Sequence, residues 1–229
     1  KVADAKMKMY NLDGSEGKMC GNGIRCVGKF LYDHGMVDIN EKDEITIETL
    51  SGIKKLKAYT SGGKVNRLRV DMGKAILDPK EIPVVLDGDK VVDRPVEIAG
   101  KNYNITCVSM GNPHCVVFMD DIDNLDIETV GPEFENDKLF PERVNTEFVT
   151  VLDDHTIKMR VWERGSGETW ACGTGACAVA VAACENGFCK KGEDIKIKLK
   201  GGDLIINYTD ETVYMTGNAE KVFEGEVEV

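Results

Sequence analysis

One feature constrains this chain more than any other: it contains the same pattern twice. Met7–Gly35 aligns, without a gap, on Met159–Gly187. Identical pairs are Met7/Met159, Glu16/Glu168, Cys20/Cys172, Gly21/Gly173, Gly23/Gly175, Val27/Val179 and Gly35/Gly187. Seven identities in 29 positions exceed the roughly two expected at ordinary residue frequencies. Conservative pairs such as Lys8/Arg160 and Tyr10/Trp162 support the same register. A duplicated chain folds as two similar halves, so the repeat predicts two pseudo-equivalent α/β (α+β) domains, each a curved mixed β-sheet or barrel around a central helix.

Local patterning fills in each half. Met7–Tyr10 and Ile157–Trp162 alternate as half-buried strands do. Cys20–Gly35 and Cys172–Gly187 carry apolar residues at helical spacing and end on a glycine suited to a left-handed cap. Further strands are expected at Ile45–Thr49 and Ile195–Leu199, near Asn102–Ser109 and His114–Met119, and at Val70–Gly73 and Val213–Gly217. The last two close their halves. The predicted domains are therefore 1–72, joined by the closing strand 218–229, and 73–217. More than eighty residues stand between Gly73 and the Met159 strand, against six before Met7, so the front of the first half is expected to lie outside this chain.

Composition excludes several classes. Forty acidic against 29 basic residues give a net charge of −11, the wrong sign for neutralising nucleic-acid phosphates. No apolar run approaches the ~18–20 residues of a membrane span. Fifteen aromatics and six prolines suit an ordered chain. Eight cysteines without a Cys-x-x-Cys pair, in a chain large enough to need no staples, read as reduced thiols in a cytoplasmic protein. Three histidines are few for a zinc site, and no metal or cofactor is called for. Gly173-x-Gly175-x-x-Ala178 mimics a dinucleotide fingerprint, but ten residues separate it from the preceding strand, too many for the tight strand–turn–helix required.

The paired Cys-Gly-x-Gly carries the chemistry. Each cysteine stands where its helix begins, where free backbone N–H groups and the helix dipole favour a thiolate. The glycines that follow let a carboxylate approach those amides. One thiolate and one thiol on opposite faces of a carbon would remove a proton and return it with inversion. Alone, one cysteine before a helix is usually structural; two at matched places in a repeat favour function. Cys26, Cys107, Cys115, Cys177, Cys184 and Cys189 read as small core residues, and Trp162 and Trp170 as packing.

Three stretches, YNLDGSEGKMCGNGIRC, GNPHCVVF and WERGSGETWACGTGACA, resemble the diaminopimelate epimerases, pyridoxal-phosphate-independent enzymes of lysine and cell-wall biosynthesis. The resemblance runs from the first residues to the closing VFEGEVEV. Proline racemases share the paired cysteines but typically carry histidine where Asn22 stands. The resemblance implies that Cys20 and Cys172 are an acid/base pair, working between the domains without a cofactor, that interconverts LL- and meso-diaminopimelate. It assigns His114 and Glu163 to proton movement near the cysteines. Asn11, Gly21, Asn22, Asn112, Asn145, Glu163, Arg164, Gly173 and Thr174 are assigned to the substrate. Phe223 falls on the family's dimerisation position, which implies a homodimer. Other readings of the residues are a racemase for another amino acid, a cysteine-rich redox or metal-binding module pairing Cys20 with Cys26, and a non-catalytic binding remnant.

Overall fold

The structure, a computed structural model, describes residues 2–10, 14, 16–17, 19–39 and 44–226. It divides into two compact units, Lys1–Val70 with Thr216–Val229, and Asp71–Met215. No helix among the described residues is long and apolar enough to cross a membrane.

In the first unit, β1 (Ala5–Lys6) runs parallel to β2 (Ile45–Thr49). Strand β2 then pairs antiparallel with β3 (Gly52–Ser61), and β3 with β4 (Lys64–Gly73), whose last residues cross into the second unit. Ile45, Ile47 and Thr49 are buried while the residues between them are not, the period-2 pattern of a sheet with one covered face. The cover is α1 (Gly21–Asp33), which buries Gly21, Ile24, Arg25, Gly28 and Leu31 on one helical stripe. Gly28 permits that approach, since a Cβ there would lie 2.6 Å from Leu68 Cδ2 and 2.8 Å from Leu56 Cδ2. Gly35, at φ +65°, ends the helix, and Met36 N–H reaches back to the Leu31 carbonyl at 2.8 Å.

Two expectations fail here. Met7–Tyr10 is not a strand: its pairing with β2 stops after Met7 N–H bonds the Glu48 carbonyl, because β2 turns at Leu50 into β3, and beyond it Tyr10 makes an isolated antiparallel bridge to Glu16. Among the described residues the expected closing strand is also not formed after Asn218. Ala219 N–H meets the Asn66 carbonyl at 3.2 Å, but residues 220–226 are all exposed and irregular, and 227–229 lie outside the described residues. Val222 and Phe223 are adjacent and both exposed, so this stretch has no buried face to set a register.

The second unit holds β5 (Arg94–Ile98), β6 (Lys101–Ser109), β7 (Pro113–Phe118), β8 (Asn145–Asp153), β9 (Thr156–Glu163), β10 (Gly167–Thr169), β11 (Asp194–Leu199) and β12 (Gly202–Tyr208). Strand β13 (Val213–Asn218) spans the unit boundary. The sheet order β12-β11-β9-β8-β7-β6-β5 is mixed: β7–β8 and β9–β11 are parallel and the other neighbours antiparallel. Two helices complete the unit, α2 (Ile127–Glu135) and α3 (Gly173–Glu185). Helix α3 is buried all round from Gly175 to Ala183 and touches β6, β7, β8, β11 and β12, so the sheet curls about it. Alanines fill most of that stretch, keeping the helix thin enough for strands to approach from several sides. Its end repeats that of α1: Gly187 at φ +77°, with Phe188 N–H on the Ala183 carbonyl at 2.9 Å. A second core, around Ile105, Val117, Phe134 and Phe148, lies between α2 and the strands. The mixed-sheet α/β fold predicted from the repeat is the fold observed.

Candidate active site

Both repeat cysteines are N-caps, with nearly the same backbone. Cys20 has φ −129° and ψ 116°, and Cys172 has φ −116° and ψ 112°. In each the sulfur accepts the amide N–H three residues on, Gly23 at 3.3 Å and Gly175 at 3.4 Å. This is the bond an N-cap serine or aspartate makes, here with sulfur, and it places each Sγ at the positive end of a helix. All eight cysteines are free thiols.

In the first unit Cys20 is half-buried, and Gly21 is buried behind it. Asn22 is held by Arg25, whose Nη1 donates to Asn22 Oδ1 at 3.1 Å and to the Gly21 carbonyl at 3.2 Å, while its Nε meets the Asn218 carbonyl at 3.3 Å. Arg25 is 7% exposed, and its role in fixing the α1 terminus was not visible in the sequence. Asn11 lies outside the described residues. Cys26 is exposed on α1, not in a core: it sits off the buried stripe. Phe223 is 84% exposed.

The second unit assembles a longer constellation. Cys172 is buried, 3.5 Å from Thr174 Oγ1. Asn112 Nδ2 donates to that hydroxyl oxygen at 3.3 Å, and Asn112 Oδ1 meets His114 Nε2 at 3.1 Å. His114 Nδ1 meets Glu147 Oε1 at 2.7 Å, with both side chains fully buried. Asn145 bridges two segments, donating to the Pro113 carbonyl at 2.8 Å and accepting from Arg164 N–H at 3.0 Å. Glu163 accepts from the Thr169 hydroxyl, and Arg164 Nη1 reaches the Glu142 carbonyl at 2.8 Å, so Glu163 and Arg164 each have partners of their own. Gly173 is buried at the start of α3. Trp162 packs on Gly131 and donates to Glu135 Oε2 at 2.7 Å, whereas Trp170 is 76% exposed and packs on nothing that hides it. Its place in the short turn between β10 and α3 accounts for that exposure. Among the described residues no group of three or more His, Cys, Asp or Glu side chains could hold a metal ion.

Glu147 and Glu135 were missed by sequence reasoning. Glu147 stands in the apolar strand NTEFVTV, two residues after Asn145 and so on the same face, an isolated carboxylate that should have drawn notice. Its room comes from Gly175, where a Cβ would fall 2.5 Å from Glu147 Oε1. Glu135 accepts from Gly165 N–H and Arg143 Nη1, both at 2.9 Å, as well as from Trp162, and so anchors the turn after Glu163 and Arg164 to α2.

The sequence profile of the diaminopimelate epimerase family matches residues 1–77 and 106–222. A diaminopimelate epimerase of Agathobacter rectalis is 52% identical over 236 residues, covering 99% of this chain and 81% of that protein. One from Methanococcus maripaludis is 51% identical over 230 residues, covering 100% and 81%. The chain belongs to the diaminopimelate epimerase family. It is therefore an isomerase. Solved structures extend the fold likeness beyond the family: a probable proline racemase from Agrobacterium radiobacter (TM-score 0.71, 16% identity, 95% of this chain and 69% of that one), and a phenazine biosynthesis protein of the PhzF family from Bacillus anthracis (TM-score 0.68, 18% identity, 100% and 82%).

Electrostatics in this family member run against the simplest expectation for Cys172. Burial pushes its thiol well above the usual range, and the carboxyl groups of Glu163 and Glu147 push the same way. The Thr174 hydroxyl and the Gly175 amide oppose them without prevailing. Cys172 thus rests as a thiol, not as the thiolate that its place at a helix N-terminus suggests. Burial also raises the Glu147 carboxyl, against the pull of His114, and Glu163 adds to the rise.

Proposed function

We propose that this chain interconverts LL- and meso-diaminopimelate, with Cys20 and Cys172 as the acid/base pair. One sulfur, as thiolate, takes the α-proton from one face of the substrate carbon. The planar carbanion spreads its charge into the α-carboxylate, and the other sulfur, as thiol, delivers a proton to the opposite face. The S–H consumed on one side balances the S–H formed on the other, so the reverse reaction exchanges the roles. The observation that carries this reading is the duplicated N-cap: two cysteines with the same backbone geometry and the same Sγ···H–N bond, each opening the helix of its own unit in a chain of this family.

The amides at those helix starts, beginning at Gly21, Asn22, Gly173 and Thr174, suit a carboxylate whose charge grows in the transition state. Asn11, Asn112, Asn145, Glu163 and Arg164 are assigned to the other charged groups of the substrate. His114 and Glu163 assist proton movement at the cysteines. Because Cys172 rests as a thiol, it is ready as the donor. The reaction belongs to lysine and cell-wall biosynthesis in the cytoplasm, and Phe223 is offered as a dimer contact.

Turnover of LL-diaminopimelate in D2O tests this. The intact pair should place deuterium at the inverted α-carbon, and Cys20→Ala or Cys172→Ala should each lose at least ~10²-fold in kcat. Unchanged turnover in either variant removes that cysteine from the mechanism.

A further inference from the structure

The bonds from Glu147 to Cys172 can be read for direction. An amide oxygen only accepts, so His114 Nε2, facing Asn112 Oδ1, carries a hydrogen. An amide nitrogen only donates, so Thr174 Oγ1 is the acceptor of Asn112 Nδ2. The hydrogen on Thr174 is then left for the atom 3.5 Å away on its other side, Cys172 Sγ. Every link is thereby oriented toward the sulfur.

The other end decides whether that orientation persists. With Nε2–H fixed, the 2.7 Å contact between His114 Nδ1 and Glu147 Oε1 contains one proton, on either the ring or the carboxyl. Both placements leave the pair with no net charge. The remaining possibility, a carboxylate facing a neutral ring protonated only at Nδ1, leaves an uncompensated negative charge on two fully buried side chains. It would also turn Nε2 into an acceptor and reverse Asn112 and Thr174. The groups around Glu147 disfavour it: Glu163 on β9 is a second carboxyl, and Cys115 on β7 and Cys172 at the start of α3 add no positive charge. Glu147 Oε2 has no hydrogen-bond partner among the described residues, so His114 is the group that orients the carboxyl.

We propose that Glu147 is a positioning residue for proton transfer at Cys172: by sharing one proton with His114 it fixes the direction of donation through Asn112 and Thr174, so that the Thr174 hydroxyl donates to the sulfur. This rests on Cys172 being an acid/base residue, and it adds to that reading a residue that touches neither sulfur nor substrate. When the sulfur becomes an anion it then receives two donors, Thr174 O–H and Gly175 N–H. With its proton shared with His114, Glu147 keeps only part of a negative charge, so burial and Glu163 come first in keeping Cys172 a thiol and that remainder adds to them.

The first test is made on the unaltered protein, labelled with 15N-histidine. His34→Gln and His155→Gln, both at exposed positions, assign the three rings. His114 Nε2 should carry a proton; a ring protonated only at Nδ1 overturns the proposal. The second test is Glu147→Gln, with Glu147→Asp as the conservative change. Glu147→Gln should lower kcat about tenfold, the loss of one charge-assisted hydrogen bond, with KM within about twofold. It should also move the pH profile of Cys172 alkylation, read against Cys172→Ala, to higher pH. Glu147→Asp should recover part of both. If Glu147 were simply a negative neighbour, its removal would move that profile to lower pH, and a purely structural role would lower the melting temperature while leaving the profile in place; either result refutes the assignment. Should Glu147→Gln not fold, the 15N result decides. Failure of the two-cysteine reading would appear separately, as retained turnover in Cys172→Ala, and would leave the ring protonation unaffected.

Discussion

Gly175→Ala isolates the space on which the second unit's constellation depends. The new Cβ would stand 2.5 Å from Glu147 Oε1 and 3.2 Å from Glu147 Cδ and Cys172 Cβ. Ordinary carbon–oxygen contact requires the carboxyl to withdraw by roughly 0.5–0.9 Å. It is not the end of a free surface chain: the side chain is fully buried and bonded to His114 at 2.7 Å, so withdrawal stretches that bond or drives His114 off Asn112. Disturbing a buried hydrogen bond between ionisable groups costs about 1.5–3 kcal/mol. Overpacking adds about 1–3 kcal/mol where neighbours cannot give. Against this, alanine is favoured over glycine in a helix by at most about 1 kcal/mol. The net is a loss of about 2–4 kcal/mol, or roughly 4–16 °C in melting temperature for a chain of this size.

The matched glycine of the other repeat supplies the control. At Gly23 a Cβ would meet Met7 Cε at 3.0 Å and Cys20 Sγ at 3.4 Å. A methionine terminus on a half-exposed side chain can move at little cost, so the helix preference for alanine roughly offsets the crowding. Thermal melts should therefore separate the two variants by several degrees, with Gly175→Ala the lower, and Gly175→Ala should also lose kcat. If Gly175→Ala melts at or above the parent with kcat within twofold, Glu147 is not confined by Gly175 and His114.

Two further outcomes follow from ion pairs and anchors away from the cysteines. Glu168 is half-buried, which by itself raises its carboxyl, yet Arg160 at 2.8 Å and Lys200 at 2.7 Å hold it below the usual 4.5. A lowered folded-state value means stability that is present above the unfolded carboxyl's range and disappears as pH falls through the folded one. The difference in denaturant midpoint between the parent and Glu168→Gln should be full at pH 7 and shrink steadily below pH 4.5; a difference independent of pH contradicts the assignment. Glu135→Ala removes the acceptor for Gly165 N–H and Trp162 Nε1, which should cost about 1–3 kcal/mol and loosen the turn bearing Glu163 and Arg164. KM for diaminopimelate should rise several-fold with a smaller change in kcat; an unaltered KM would show that the turn is held by other means.

What could be read from the sequence was whatever local geometry writes into residue type. An N-cap followed by glycines where side chains would collide, and a left-handed helix end at Gly35 and Gly187, each leave a mark at fixed spacing, and those marks exposed the duplication. Strands β2 and β11 were legible for the same reason, since one covered face imposes alternation. Features set by partners distant along the chain were not. Whether Met7–Tyr10 pairs with β2 depends on where β2 turns, and nothing in the residue types of 220–226 announces that this stretch stays exposed and irregular. Trp170 and Cys26 read as core by type alone, but each sits where the backbone leaves it facing water. Glu147 is the instructive omission. Its partner His114 is 33 residues away, brought to its side by the parallel pairing of β7 and β8, in which His114 lies opposite Asn145 and Val116 opposite Glu147. No spacing rule within one strand carries that information.

The chemistry of Cys172 depends on its surroundings as much as on its place at a helix end. A helix N-terminus offers about half a unit of positive charge, worth up to about 2 kcal/mol when partly buried. Complete burial of a thiolate opposes this with a desolvation cost of several kcal/mol, and Glu163 lies near enough to add to it. Burial and the neighbouring carboxyl outweigh the helix end, and the thiol stays protonated. That balance suits a proton donor that must not ionise before substrate arrives. On the proposed mechanism the groups beside the sulfur gain a use: Gly175 N–H and the Thr174 hydroxyl oppose the resting preference without prevailing, and they are already in place for the moment at which the proton leaves. A protonated sulfur with its anion's hydrogen bonds prearranged makes the step cheaper in the transition state than in the ground state, the difference on which rate depends.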